Sequence, residues 1–426
     1  MTDQVRNKLY AAAGPDAAPA ADAGLPADAS TDMPARSPAD DTVATLPLSA
    51  VDFSDAVVGW DIGGAHVKAA LVREGRLIDV VQWPCPLWQG LAHLEHAIDA
   101  TLGQWPAARH ARHAVTMTGE MADLFANREA GVLGIAQHME MRLGNRLALY
   151  AGPDRWIAPE HAQPHWHAIA SANWLATAQL VVRNLRDALL IDIGSTTTDI
   201  IAIRNGEILA LGRPPAALVT VGTRDAGRDD VSRLASGELV YVGVVRTPLC
   251  ALARRINFGG RELNVMNEHF ATSADVFRLT GEIDPMHDQH PAADNGAKSA
   301  EGTRARLARM IGLDARDASE DIWLGFAREW RRALVDEIRF NVARVLHAAE
   351  LPPAAPMIAA GCGAFLVEGI AHAAGRHSLG FDRLARRDRP VSAADDRRAS
   401  WTRVCAPSVA VALLAADAWQ ERRPAL

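Results

Sequence analysis

Leu189-Leu190-Ile191-Asp192-Ile193-Gly194-Ser195-Thr196-Thr197-Thr198-Asp199-Ile200-Ile201-Ala202-Ile203 is an apolar run that enters Asp-x-Gly, passes three threonines and leaves through a second apolar run. Glycine lets the backbone approach a ligand closely, and the Ser and Thr residues bring hydroxyl and N–H donors to one tight turn. Such a turn suits phosphate oxygens, and a neighbouring carboxylate suits a hard cation such as Mg²⁺. A single turn of this kind is a weak signal, but a second lies 131 residues upstream. There Val58-Gly59-Trp60-Asp61-Ile62-Gly63-Gly64-Ala65-His66-Val67-Lys68 leads into Ala69-Ala70-Leu71-Val72. Without a gap, Asp192 falls on Asp61, Gly194 on Gly63, Ser195 on Gly64 and Gly206 on Gly75. Two matched strand–loop–strand–turn–strand units imply two similar α/β lobes facing across a cleft, where two carboxylates can hold an anion and its cation.

The remaining residues bound this reading. A chain of 426 residues has length for two or three domains. A net charge of −7 offers no basic surface for nucleic acid or anionic membranes. Cys85, Cys250, Cys362 and Cys405 show no metal or disulfide spacing. With no apolar segment of transmembrane length, the expectation is a soluble, cytoplasmic protein, with a homo-oligomer possible. Residues 1–54, rich in Ala, Asp and Pro, are expected to be a disordered tail. The first lobe is expected over 55–185 and the second over 186–426, with a helical insertion at about 250–350.

Within the first lobe, 91–102 reads as a helix and 114–120 as a strand ending in a polar turn. Residues 145–150 read as a strand, and 171–178 begins a helix with Ser171 as its N-cap. In the second, 229–235 reads as helix and 237–244 as strand. Asp225 and Glu238 are the freest carboxylates near the cleft. The His- and Asp-bearing loop 281–291 lacks zinc spacing and is expected to be a polar surface loop. Ile322, Phe326, Trp330, Leu334, Ile338, Val342 and Val345 form the buried stripe of a helix over 319–349, widened by Trp323. Residues 356–366 read as a strand entering Gly361-Cys362-Gly363 and then a helix, a third loop able to face an anion. The apolar helix at 407–416 is expected to pack on the second lobe.

The paired Asp-x-Gly meanders and the late strand–Gly-x-Gly–helix resemble the sugar-kinase, heat-shock-ATPase and actin superfamily, which implies two ribonuclease-H-like lobes in an α/β fold. Thr118-Gly119-Glu120-Met121, Ser171-Ala172-Asn173-Trp174 and Gly237-Glu238-Leu239-Val240-Tyr241 bring the wording closer to its hydantoinase/oxoprolinase-like branch. Within that branch the chain is similar to bacterial proteins of tetrahydromethanopterin-linked one-carbon transfer, relatives of an archaeal synthase of the methanofuran core. The resemblance implies a transferase that displaces diphosphate from an aminomethylfuran-methyl diphosphate with the phenol oxygen of a tyrosine- or tyramine-derived acceptor. It places Mg²⁺ at Asp61 and Asp192, and the diphosphate at Gly63, Gly64, His66, Gly194, Ser195, Thr196, Thr197 and Thr198, with Gly361 and Gly363 behind. Lys68 would lie near the same charge, or pair structurally with Asp199 across the cleft. Glu120, Asp225 and Glu238 are the candidates for the base. The alternative is an ATP-dependent kinase or oxoprolinase-like ATPase. Ala65, standing where sugar kinases carry a hydroxyl, weighs against that alternative.

Overall fold

The structure is a computed structural model that describes residues 55–212, 228–385 and 393–421. Its first lobe comprises β1 (Ala56–Ile62), β2 (His66–Arg73), β3 (Arg76–Pro84), α1 (Ala92–Gln104), β4 (Arg112–Met117), α2 (Arg128–Leu143), β5 (Leu147–Tyr150), β6 (Trp156–Ile157), α3 (Trp166–Ile169) and α4 (Asn173–Val182). The second lobe begins with β7 (Ala188–Ile193), β8 (Thr198–Arg204), β9 (Glu207–Ile208), α5 (Asp230–Ser236) and β10 (Leu239–Val240). An insertion follows with α6 (Leu249–Leu252), β11 (Arg255–Phe258), β12 (Arg261–Asn264), α7 (Ser273–Thr280), α8 (Ala300–Arg309) and α9 (Glu320–Ala349). The lobe resumes with β13 (Met357–Ala360), α10 (Val367–Ala373), β14 (Ser378–Gly380), α11 (Phe381–Ala385), α12 (Ala393–Val404) and α13 (Ala406–Glu421).

The repeat in the sequence is a repeat in register. The first sheet runs β3-β2-β1-β4-β5-β6, and the second runs β10-β8-β7-β13-β14 with β9 also on β8. In each, a hairpin is extended by two parallel strands on the far side of its first strand. Asp61 pairs opposite Lys68, and Asp192 opposite Asp199. Gly63 N–H closes its turn on His66 O at 2.9 Å, and Gly194 N–H closes the equivalent turn on Thr197 O at 2.8 Å. Both lobes therefore have the ribonuclease-H-like arrangement, and together they make the two-lobed actin-like fold.

β1 is buried along its whole length, so its run is apolar from Ala56 to Trp60 without alternation, and Asp61 is its one charged residue. One face of the first sheet packs through Trp60, Ile62 and Val115 against Leu94, Ile98 and Ile135. The outer face of the second packs through Leu189 and Ile191 against Ile338, Val342 and Ile370. The inner faces share one core, where Val72, Leu190 and Ile201 meet Leu180 of α4 and Val409 and Leu413 of α13. Thus α13 is not confined to the second lobe as its position in the chain suggests; it crosses back onto β1, β2 and β4. Gly59 makes the crossing possible, since a Cβ there would stand 2.2 Å from Ser408 O and 2.7 Å from Ala412 Cβ. Packed on the first sheet with α4 and α11 against it, the helix is buried on all sides from Ala406 to Ala416, which accounts for its all-round apolarity.

Two other expectations change. Ile322 is exposed at 46% while Trp323 is fully buried. Steps of four residues drift by about 40° on a helix, so Trp323 lies roughly 20° from Leu334 and Ile322 about 120° away. Trp323, Phe326 and Trp330 close a separate core in the insertion with Leu307 and Met310, and the same helix continues into the lobe core. The strand expected over 237–244 shrinks to β10, because the chain beyond it turns away toward the Ser195-Thr196 loop.

Fully buried His113 on β4 accepts a hydrogen bond at Nδ1 from Trp60 Nε1 at 3.1 Å, while its own Nε2 has no partner. Burial lowers its pKa from 6.5 to about 4. Between those values the unfolded chain binds the extra proton, so stability rises with pH through this window and is lost on acidification. Acidification from neutral pH to below pH 4 therefore costs the fold roughly 3 kcal/mol at this site. His113→Asn, which keeps an acceptor for Trp60, is expected to flatten the fall in Tm between pH 6.5 and 4. Parallel melting curves of the two proteins over that range check this, and an unchanged slope refutes it.

Candidate active site

The two hairpins bring Asp61 and Asp192 to the carboxyl ends of β1 and β7, each one residue before its strand ends. Ligands in open α/β sheets bind outside such ends. Asp61 is 3% exposed; Lys68 Nζ donates to its Oδ2 at 3.4 Å, while Oδ1 is buried without a partner. The Thr116 hydroxyl, its register neighbour on β4, is a second buried orphan. Asp192 lies partly open and has no hydrogen bond or ion pair to any described side chain. Burial raises its pKa to about 7, helped by the like charges of Asp199 and Asp61 and opposed by Lys68. Burial also raises Asp61, against the pull of Lys68. For Lys68 itself burial works against the charge, yet Asp61 and Asp192 among its neighbours carry the pKa above the usual lysine value. The expected cross-cleft pair of Lys68 with Asp199 does not form. Each is already paired within its own lobe, Asp199 to Arg233 at 2.6 Å.

Above these carboxylates the second-lobe turn is furnished with donors. Ser195 and Thr196 are partly exposed, with their hydroxyls 3.4 Å apart. Among the described residues their backbone N–H groups donate to no protein acceptor. Thr198 is turned inward, its hydroxyl donating to Val242 O at 2.7 Å, so it braces the loop and does not face an anion. Gly63 and Gly194 likewise spend their N–H groups closing the turns, while Gly64 has open space about it. Thr197 supplies the carbonyl that closes its turn and is partly exposed. Gly361 and Gly363 serve close packing. Their N–H groups donate to Arg403 O and Ile193 O, and a Cβ on Gly361 would stand 2.1 Å from Ile193 O.

Arg246 was not legible in the sequence. Its backbone N–H donates to Ser195 O at 2.8 Å, and its guanidinium reaches Thr196 Oγ1 at 3.4 Å and lies 5.3 Å from the Trp88 ring. It has no carboxylate partner among the described residues. His66, 7% exposed, sits edge-on to His290, which stacks on Trp88. Burial, reinforced by Lys68, His290, Arg246 and Lys298, holds His66 neutral with a pKa of about 3. His290 comes from the loop expected to lie on the surface. The Arg278–Asp288 ion pair holds that loop, and Gln289 meets Gln82 of the first lobe at 3.1 Å. No cluster of three metal-ligating side chains occurs there or elsewhere among the described residues.

Glu120 and Ser171, distant in sequence, meet beside the cleft. Glu120 is 1% exposed, and its Oε1 accepts from Arg128 at 2.9 Å and from Ser171 Oγ at 2.8 Å, leaving Oε2 buried and free. Burial raises its pKa against the pull of Arg128 and Ser171. Ser171 is therefore not a helix cap: it has a left-handed φ of 50°, and Ala172 occupies the cap position of α4. Arg128 continues across the cleft to Asp230 of α5 at 3.1 Å. Glu238 is not free, being 2% exposed and accepting from Gly212 N–H and Ser236 Oγ. Asp225 lies outside the described residues.

The paired lobes, with a carboxylate at the end of the first strand of each, are those of the two-lobed actin-like fold. The chain belongs to the hydantoinase/oxoprolinase family, whose profile matches residues 112–386. It is 29% identical over 287 residues to the (4-{4-[2-(gamma-L-glutamylamino)ethyl]phenoxymethyl}furan-2-yl)methanamine synthase of Methanocaldococcus jannaschii, covering 67% of this chain and 80% of that one. The synthase of the same name from Methanococcus vannielii is 30% identical over 169 residues, covering 39% of this chain and 69% of its own. Among solved structures, a ROK family glucokinase from Streptomyces griseus aligns over 84% of this chain and 98% of its own, at 16% identity and a TM-score of 0.39.

Proposed function

We propose that this protein is a transferase of methanofuran-type cofactor synthesis. In this reading it joins the phenol oxygen of a tyrosine- or tyramine-derived acceptor to the methylene carbon of an aminomethylfuran-methyl diphosphate. The C–O bond to the diphosphate breaks with its electron pair leaving on the diphosphate, the aryl ether bond forms, and the phenol proton passes to a base. The observation that carries the reading is the Arg246 guanidinium, which meets the Thr196 hydroxyl on the loop that follows Asp192 and has no carboxylate partner among the described residues. The names of the relatives supply the chemistry.

Arg246, Lys68, the Ser195 and Thr196 hydroxyls and their N–H groups would stabilise charge gathering on the leaving diphosphate. Asp61 and Asp192 fit a Mg²⁺ ion, since Asp61 Oδ1 is a buried orphan and Asp192 is unpaired; Mg²⁺ typically takes one or two carboxylates together with substrate phosphates. Bound there, it would neutralise leaving-group charge. His66 and His290, held neutral, can donate hydrogen bonds without adding charge. Glu120 is the base this arrangement favours. Glu238 is occupied, whereas Glu120 Oε2 is free and burial makes the carboxylate a better proton acceptor.

Purified protein incubated with the furan diphosphate, Mg²⁺ and γ-glutamyltyramine or tyrosine should release diphosphate and form an aryl ether. Glu120→Gln should lower kcat by about 10²–10⁴-fold and abolish the acid limb of the rate profile. Absence of ether with every phenolic acceptor removes the transfer reading. ATP turnover stimulated by such an acceptor would favour the ATPase alternative.

A further inference from the structure

A cavity of about 430 Å³ opens beside the Glu120–Arg128–Ser171 cluster, a volume typical of a small-molecule site. Its lining includes the apolar Ala172, Trp174, Leu175 and Trp166, and its polar groups are divided unevenly. Both acidic residues in its wall are already engaged. Asp229 caps α5 through Ser232 N–H at 3.1 Å and accepts from the Ser232 hydroxyl at 2.8 Å, and Asp230 pairs with Arg128. Arg155 and Arg228 form no ion pair among the described residues, and the only side-chain hydrogen bond of Arg155 is to His165 at 2.9 Å. The cavity therefore combines an aromatic, apolar lining with two arginines that have no carboxylate partner among the described residues.

The cavity borders the Glu120 cluster. Ser171 and Arg128 line it and both bind Glu120. Arg233, 4.2 Å from the Trp174 ring, pairs with Asp199, the strand neighbour of Asp192. The left-handed backbone of Ser171 is strain of the kind that persists where a side chain must be aimed.

We propose that this cavity is the acceptor site, taking a phenol that carries a carboxylate at its far end. The ring rests against Ala172, Trp174 and Leu175 with its hydroxyl toward Glu120, and the carboxylate pairs with Arg155 and Arg228. This assignment rests on the transfer reading above, to which it adds the site and the charge of the acceptor.

Calorimetric titration of the full chain with γ-glutamyltyramine, and with tyramine, which lacks the carboxylate, tests it. Arg155→Gln and Arg228→Gln should each weaken γ-glutamyltyramine binding by about 10- to 100-fold and leave tyramine binding unchanged. Unaltered binding of inorganic diphosphate shows that the variants are folded. Equal affinity of wild type and both variants for γ-glutamyltyramine overturns the proposal, as does wild-type binding of tyramine as tight as that of γ-glutamyltyramine. The two readings separate cleanly. Ether formation that neither arginine affects removes the acceptor site but keeps the transferase. Arginine-dependent binding without any ether product keeps the pocket but removes the transferase.

Discussion

Arg246→Met is expected to reduce kcat/KM for the furan diphosphate by about 10²–10³-fold, the usual loss for one donor aimed at developing charge. The argument rests on what Arg246 does not do. A half-buried guanidinium normally answers a carboxylate, and among the described residues this one has only a hydroxyl at 3.4 Å and an aromatic ring. Its removal breaks no ion pair, so Tm should stay within a few degrees of wild type. Initial rates of diphosphate release, measured with melting curves, decide the matter. A large fall in Tm with little change in rate would make Arg246 a structural residue.

Asp192→Asn should be more damaging still, on the order of a thousandfold in kcat, and again with little effect on stability. Asp61→Asn provides the contrast. Asp61 holds Lys68, so losing its charge leaves a partly buried ammonium without its ion-pair partner. Removing one partner of a buried pair costs about 3–5 kcal/mol, an upper figure here because Lys68 is partly open. The asymmetry comes from the equivalent hairpin position, which is Lys68 in the first lobe and Asp199 in the second. Asp199 cannot neutralise Asp192 and instead raises its pKa. Comparing activity and Tm for both variants tests this, and equal stability loss for the two would refute it.

The fold was legible because both hairpins kept the features that fix a tight turn. Gly63 cannot accept a side chain without a Cβ standing 2.9 Å from His66 O, and Gly194 faces a similar restriction at 3.2 Å from Thr197 O. Features of that kind survive as a gap-free pattern. The candidate site was only half legible. Asp61, Asp192, Ser195, Thr196 and Glu120 could be found because they sit in or beside the turns. Arg246, Trp88 and His290 could not, since three separate loops bring them together and none has a periodicity of its own. Glu238 and Thr198 misled for the opposite reason: their residue types suit a site, but their hydrogen bonds are consumed inside the lobe. The placement of α13 was hidden because an all-apolar helix does not say which sheet it will cover.

That helix has a consequence for how the chain is made. The first sheet is synthesised early, but the element covering its inner face emerges only with residues 406–421. Until then Val57, Ala70 and Val72 lack their helical cover, and Gly59 has no Ser408 to meet. The lobe that is first out of the ribosome is thus among the last to be finished, and its closure requires contacts of very long sequence separation. A nascent chain stalled before residue 406 should present its first lobe to chaperones and proteases, however well the hairpin at Asp61 has already formed.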